Sequence, residues 1–151
     1  MGARHTRLAA ALAAAWEAEV VSARTLAALG ERFSDPRLKA RMRVLSSFCR
    51  AHASRLMARL SALGRGPLPV PPEEVEVEGD LAELLRREAV AARTAAMRYA
   101  TMADLARSQA DLSSAWVCEL NRSEEEDRAA ELLELARGSW TTEPPAAGYG
   151  L

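Results

Sequence analysis

At residues 48–52 the chain reads FCRAH, which sets Cys49 and His52 three positions apart. On a helix that spacing puts a thiol and an imidazole on one face, and both side chains are transition-metal ligands. Carboxylates extend the candidate set: Glu19 near the start of the chain, Glu88 in its middle, and Glu124 and Glu125 in the acidic run SEEED. Carboxylate, imidazole and thiolate drawn to one point would hold a transition metal, and on ligand type zinc fits, since it suits the thiolate and imidazole and needs only four positions. The same residues have a second reading. Glu19 and His52 can pair with each other, Arg122 or Arg128 can neutralise Glu125, and a core cysteine packs as a small hydrophobe. Either reading requires elements that carry residues distant in sequence to one level.

Those elements are helices. Alanine, leucine, arginine and glutamate dominate, while glycine and proline gather at a few breaks, so the chain reads as all-α. FSDP at 33–36 offers Ser34 or Asp35 as a cap and Pro36 for a first turn. GRGPLPVPPEEVEVEGD at 64–80 reads as a linker, its EEVEVEG stretch as an acidic connector rather than a strand. A softer break falls near SQAD at 108–111, and residues 139–151 read as a flexible tail whose Trp140 and Tyr149 could dock on a protein partner. Four helices result, at about 5–33, 36–63, 80–108 and 111–137, forming one bundle over residues 1–138.

Each helix carries a buried stripe. Helix 2 shows Leu38, Met42, Leu45, Cys49, His52, Leu56, Leu60 and Leu63 in steps of three and four. Helix 1 shows Leu8, Leu12, Ala15, Glu19, Ser22, Leu26, Leu29 and Phe33, which puts a carboxylate in its core face. Helix 3 gives Leu81, Leu85, Glu88 or Ala92, Ala95, Tyr99, Met102 and Leu105, and helix 4 gives Ala115, Cys118, Arg122, Glu125, Ala129 and Leu132. Two tight connections and one long linker describe two helical hairpins joined by a crossover as long as the bundle, the connection pattern of ferritin-like up-down four-helix bundles. The helical rise then sets Glu19, Cys49, His52 and Glu124 or Glu125 at one height, with Glu88 a turn away and Cys118 well below.

Composition narrows the function. With 20 basic and 21 acidic residues the formal charge is -1, so no global field draws the chain to nucleic acid or an anionic membrane. Arg37, Arg41, Arg55 and Arg59 read as a solvated outer face of helix 2. Two cysteines fit reduced thiols in a cytoplasmic protein. The alanine-rich start meets Glu17 and Glu19 at once, unlike a secretion signal, and no stretch is apolar enough to span a bilayer. There is no phosphate-binding glycine loop and no Ser/His/Asp set that could be placed together. The alanines at 89–96 leave room beside Tyr99 for a small molecule.

The stretch YATMADLARSQADLSSAWVCELNRSEEEDRAAELL at 99–133, with RVLSSFCRAHASRLMARL on helix 2, resembles the rubrerythrin-type ferritin-like family. The resemblance implies a glutamate from each of helices 1 and 3 and Glu-x-x-His from each of helices 2 and 4, holding two irons that react with oxygen or peroxide. Carried over, Glu19 matches the helix 1 glutamate, His52 the helix 2 histidine, and Glu124 or Glu125 the helix 4 glutamate. Cys49, Ala92 and either Asp127 or Arg128 stand where the remaining ligands would be. The expectation is therefore a depleted di-metal site, with Cys49 as an added soft ligand or redox thiol and with oxidase or peroxidase chemistry if it is redox-active. The resemblance further implies a homodimer. The rival expectation is a bundle that has lost its metal and serves as an oligomerisation or partner-binding module.

Overall fold

The computed structural model describes residues 3–75 and 77–138. Four helices account for the fold: α1 (Ala3–Gly30), α2 (Pro36–Ala62), α3 (Leu81–Ser108) and α4 (Leu112–Ala136). The residues named as the tail, with Trp140 and Tyr149, lie outside those described.

Local chemistry sets the ends. Asp35, Asp80 and Asp111 cap α2, α3 and α4, accepting hydrogen bonds from the backbone N–H of Arg37 (2.8 Å), Glu83 (3.0 Å) and Ser114 (3.0 Å). α1 stops at Gly30 rather than at Phe33, because the N–H groups of Arg32 and Phe33 turn back three residues to Leu29 and Gly30, tightening the chain toward the Asp35 cap. Gly30 also permits close packing of the hairpin: a β-carbon there would lie 2.9 Å from Met42 Cβ.

α1 packs chiefly on α2 and α3 on α4, with thinner contacts from α1 to α3 and from α2 to α4. The core falls into two apolar clusters. One gathers Leu8 and Leu12, Leu56 and Leu60, Tyr99, Met102, Ala115 and Cys118; the other gathers Leu26, Leu29 and Phe33, Met42, Leu45 and Cys49, Leu85, Leu132 and Leu135. α1 and α4 therefore run from the first cluster to the second, and α2 and α3 run back, so neighbouring helices are antiparallel. The two cysteines sit in different clusters, and both are reduced.

The crossover at 63–80 returns the chain along the length of the bundle. Leu68 packs at the first cluster and Val77 at the second. Arg24 of α1 donates to the carbonyls of Pro71 (2.6 Å) and Pro72 (2.7 Å), and Arg32 donates to that of Val77 (2.7 Å), so α1 holds the strap in place. No strand forms among its described residues. Between the two clusters lies a layer of buried polar side chains.

Candidate metal centre

Every helix contributes to that layer. α1 supplies Glu19, α2 supplies His52 with Arg55 on its flank, α3 supplies Tyr99 and Glu88, and α4 supplies Asn121, Glu124, Glu125 and Arg128. Glu19, His52, Tyr99, Asn121, Glu125 and Arg128 are all at most 3% exposed. Buried charge is tolerated only when paired, hydrogen-bonded or bound to metal, so each contact has a consequence.

His52 is the hub. Its Nδ1 lies 2.9 Å from Glu19 Oε2 and 3.2 Å from Glu125 Oε1, and its Nε2 lies 3.0 Å from Glu124 Oε1. Arg55 Nη1 secures that last carboxylate at 2.5 Å and donates to Asn121 Oδ1 at 3.0 Å. Arg128 Nε donates to Glu125 Oε2 at 2.6 Å, and the Tyr99 hydroxyl donates to Glu19 Oε2 at 2.6 Å.

The charges explain the proton affinities. Four carboxylates (Glu19, Glu88, Glu124, Glu125) face two guanidinium groups (Arg55, Arg128), which leaves two negative charges unanswered in a medium of low dielectric. Burial alone would push the His52 imidazole down; hydrogen bonds to Glu125 and Glu19 and their charges outweigh it and hold the imidazolium up to about 9. Burial raises Glu19, with His52 opposing and Glu125 adding to the rise. Glu125 goes the other way: burial is outweighed by His52 and Arg128, so it is held below the ordinary range and keeps its charge. Glu124 is likewise lowered, its burial overcome by Arg55 and His52. Burial also pushes the Cys49 thiol well above its usual value; Arg128 pulls it down, while Glu19 and Glu125 add to the rise. In the absence of metal the His52 proton supplies one positive charge, and the rise of Glu19 and Glu88 by burial shows the same shortage of positive charge.

A single divalent cation fits the same place. Glu19, His52 and Glu125 each offer one ligand atom, all within 4.8 Å of one another. The two His52–carboxylate separations, 2.9 and 3.2 Å, approach the roughly 3.4 Å spacing that bonds of about 2.1 Å give around a tetrahedral ion. Glu19 Oε1 is buried without a hydrogen-bond partner, a free lone pair beside the group. With Glu124, held by Arg55, engaging Nε2, Nδ1 is the nitrogen turned toward Glu19 and Glu125.

A second cation does not fit. Three residues after Glu125, at the expected second histidine, stands Arg128 rather than exposed Asp127, and its guanidinium occupies the space between Glu125 and Glu88 (Nη1–Oε1 3.8 Å). Ala92 fills the expected helix 3 position and is fully buried. Cys49, Glu88 and Glu124 border the three-residue group without joining it: Glu124 serves Arg55 and His52 Nε2, and Glu88 faces Arg128.

Three participants escaped the sequence reading. Tyr99 was expected in the core but not as a donor to Glu19. Asn121 takes the buried place assigned to Arg122, whose side chain is 42% exposed and pairs with Glu119 and Glu126. Of the four arginines read as a solvated face, Arg37 and Arg41 are exposed, Arg41 pairing with Glu131, whereas Arg55 and Arg59 are part-buried and reach across to Glu124, and to Ser114 and Asp111, on α4 and its cap. The only signal in the sequence was complementary charge on α4, which fixes no register.

The geometry defines a ferritin-like four-helix bundle with a polar layer across its middle. It superposes on Desulfovibrio desulfuricans bacterioferritin, a structure determined for its diiron site, with a TM-score of 0.82 and 16% identity over 96% of this chain and 88% of that one. It also superposes on a protein from Xanthomonas campestris pv. campestris with a TM-score of 0.80 and 19% identity over 93% and 94% of the two chains. At such identities the likeness is one of fold. No protein-family profile matches the sequence, and no curated protein does.

Proposed function

We propose that this protein binds one divalent transition metal per chain, with iron first and zinc second, held by Glu19, His52 and Glu125. The observation that carries this is the buried three-residue group inside a bundle whose fold matches a bacterioferritin with a diiron site. Charge supports it as well, since a dication would offset the excess of carboxylates over guanidinium groups in the layer. Iron there would supply redox chemistry toward oxygen or peroxide.

The surrounding residues would set the terms of binding. Tyr99 orients the Glu19 carboxylate, Glu124 and Arg55 hold the Nε2 side of the imidazole, and Arg128 keeps Glu125 ionised. Arg128 also gives the site its limit, because its guanidinium stands in for a second metal. Cys49 lies next to the group as a reserve thiol that burial keeps protonated. A cytoplasmic homodimer remains our reading of the intact protein; no described helix is long and apolar enough to cross a membrane.

The rival reading is a bundle that has kept the fold without a metal. It is favoured by the completeness of the Glu19–His52–Glu125–Arg128 ion pairing. Glu19→Gln separates the two readings. Under the metal reading this near-isosteric variant folds by circular dichroism and loses stoichiometric metal; under the rival, wild type and variant are alike in binding none.

A further inference from the structure

Between α1 and α3 the polar layer opens into a cleft of about 240 Å³. It exists because both facing stripes are short side chains, Ala15, Ala18 and Ser22 against Ala91, Thr94 and Ala95. Small residues make room but not a site. The contents of the inner end do more. Arg128 lines it, is 2% exposed, and its Nη1 has no hydrogen-bond partner. It faces Glu88 Oε1, itself buried without a hydrogen-bond partner, at 3.8 Å, an ion pair too long for a hydrogen bond. A buried N–H left without an acceptor carries a penalty that an incoming oxygen relieves. At the outer end Arg98 is exposed and makes no ion pair among the described residues.

The two ends ask for different chemistry. Glu19, Glu88 and Glu125 already surround Arg128, so a second full negative charge there would be repelled, whereas a neutral oxygen would be accepted. A hydroxyl meets the inner end best, because it accepts from Arg128 and can donate toward the Glu19 carboxylate. Arg98 at the mouth suits a carboxylate. The walls between are alanine with Met102, an apolar slot that favours a flat ring. Size agrees: an apolar cavity of about 150 Å³ already accepts benzene.

We propose that the α1–α3 cleft binds a small hydroxylated aromatic carboxylate, hydroxyl inward on Arg128 and carboxylate outward on Arg98. The ligand would lie against the side chain of Glu19 whether or not metal is present, so the proposal does not depend on the metal reading.

The test is a calorimetric titration of the full chain, metal-free and metal-loaded, with 4-hydroxybenzoate as the probe. Saturable one-to-one binding is expected, in the millimolar range or tighter. Arg98→Gln should weaken it roughly tenfold, the loss of one charge-assisted hydrogen bond. Ala95→Leu, which fills the slot from a partly exposed position, should abolish it while leaving the fold and metal binding unchanged. Benzoate and phenol, each lacking one end, should bind more weakly, and 4-hydroxybenzylamine, with the wrong charge at the mouth, should not bind. No saturable binding of 4-hydroxybenzoate, binding indifferent to Ala95→Leu, or equal binding of the amine would overturn the proposal. The metal content of the Ala95→Leu protein reports on the metal reading separately.

Discussion

The two sides of the polar layer are built to opposite rules. On the α2–α4 side, polar groups answer one another: Arg41 meets Glu131, Arg55 meets Glu124 and Asn121, Arg59 meets Ser114 and Asp111, and His52 is fixed through Nε2. On the α1–α3 side, Tyr99 and Glu19 join the helices and short side chains leave a cleft; buried polar atoms without hydrogen bonds lie on both sides, Glu19 Oε1 and Glu88 Oε1 on α1 and α3, Asn121 Nδ2 and Arg128 Nη1 on α4. One flank holds the imidazole still; the other leaves space. In a bundle this is the division expected of a site that must be rigid on the ligand side and accessible on the other.

Arg128 touches both sides, so its loss should be the most damaging change. Arg128→Met removes the partner of Glu125 and the neighbour of Glu88 and leaves buried carboxylates uncompensated. A cost of about 3 to 5 kcal/mol is expected by urea denaturation. A change under about 1 kcal/mol would mean the layer is wetter than its burial implies.

Proton linkage should be nearly as large. In metal-free protein the folded state binds the His52 proton more tightly than the unfolded state does. The resulting stability is fully present below the ordinary imidazole value, near 6.5, and is lost as pH rises through about 9. Glu19, raised by burial, adds a loss of the same sign as pH rises. The net fall is on the order of 3 kcal/mol, and His52→Gln should flatten the profile. A wild-type profile that matches the variant across this range would show that His52 is not clamped between the two carboxylates.

Loss of a single contact on either side should cost less. Tyr99→Phe removes the donor to Glu19 and keeps the ring, costing about 2 kcal/mol in thermal unfolding. Arg55→Gln on the closed side should cost about 1 kcal/mol, because that side chain is 29% exposed. A reversal of this order would overturn the ranking of the buried Tyr99–Glu19 hydrogen bond above the part-exposed Arg55–Glu124 pair.

The bundle was legible because burial leaves a period. Spacing alone gives Leu38, Met42, Leu45, Cys49, His52, Leu56, Leu60 and Leu63 as one face of α2; the inner six are buried and the two at the ends partly so. The helical rise brought Glu19, His52 and Glu125 to one level for the same reason. What spacing could not supply was direction within a turn. Asn121 and Arg122 are neighbours a hundred degrees apart on α4, and counting back from Leu132 chose the wrong one. Arginine reach was also invisible: long flexible side chains on the edge of α2 look solvated in sequence and bridge helices in three dimensions. Arg128 is the sharpest case, since a charge three residues after Glu125 reads as a broken ligand motif until its contacts with both carboxylates are seen.

The central claim is that this layer holds one metal and no more. It is tested most directly by elemental analysis of untagged protein, purified without chelator and reconstituted anaerobically with ferrous iron. We predict about one equivalent per chain, because Glu19, His52 and Glu125 form one ligand set and Arg128 occupies the place of a second. Two equivalents would contradict the role given to Arg128, and none would contradict the site itself.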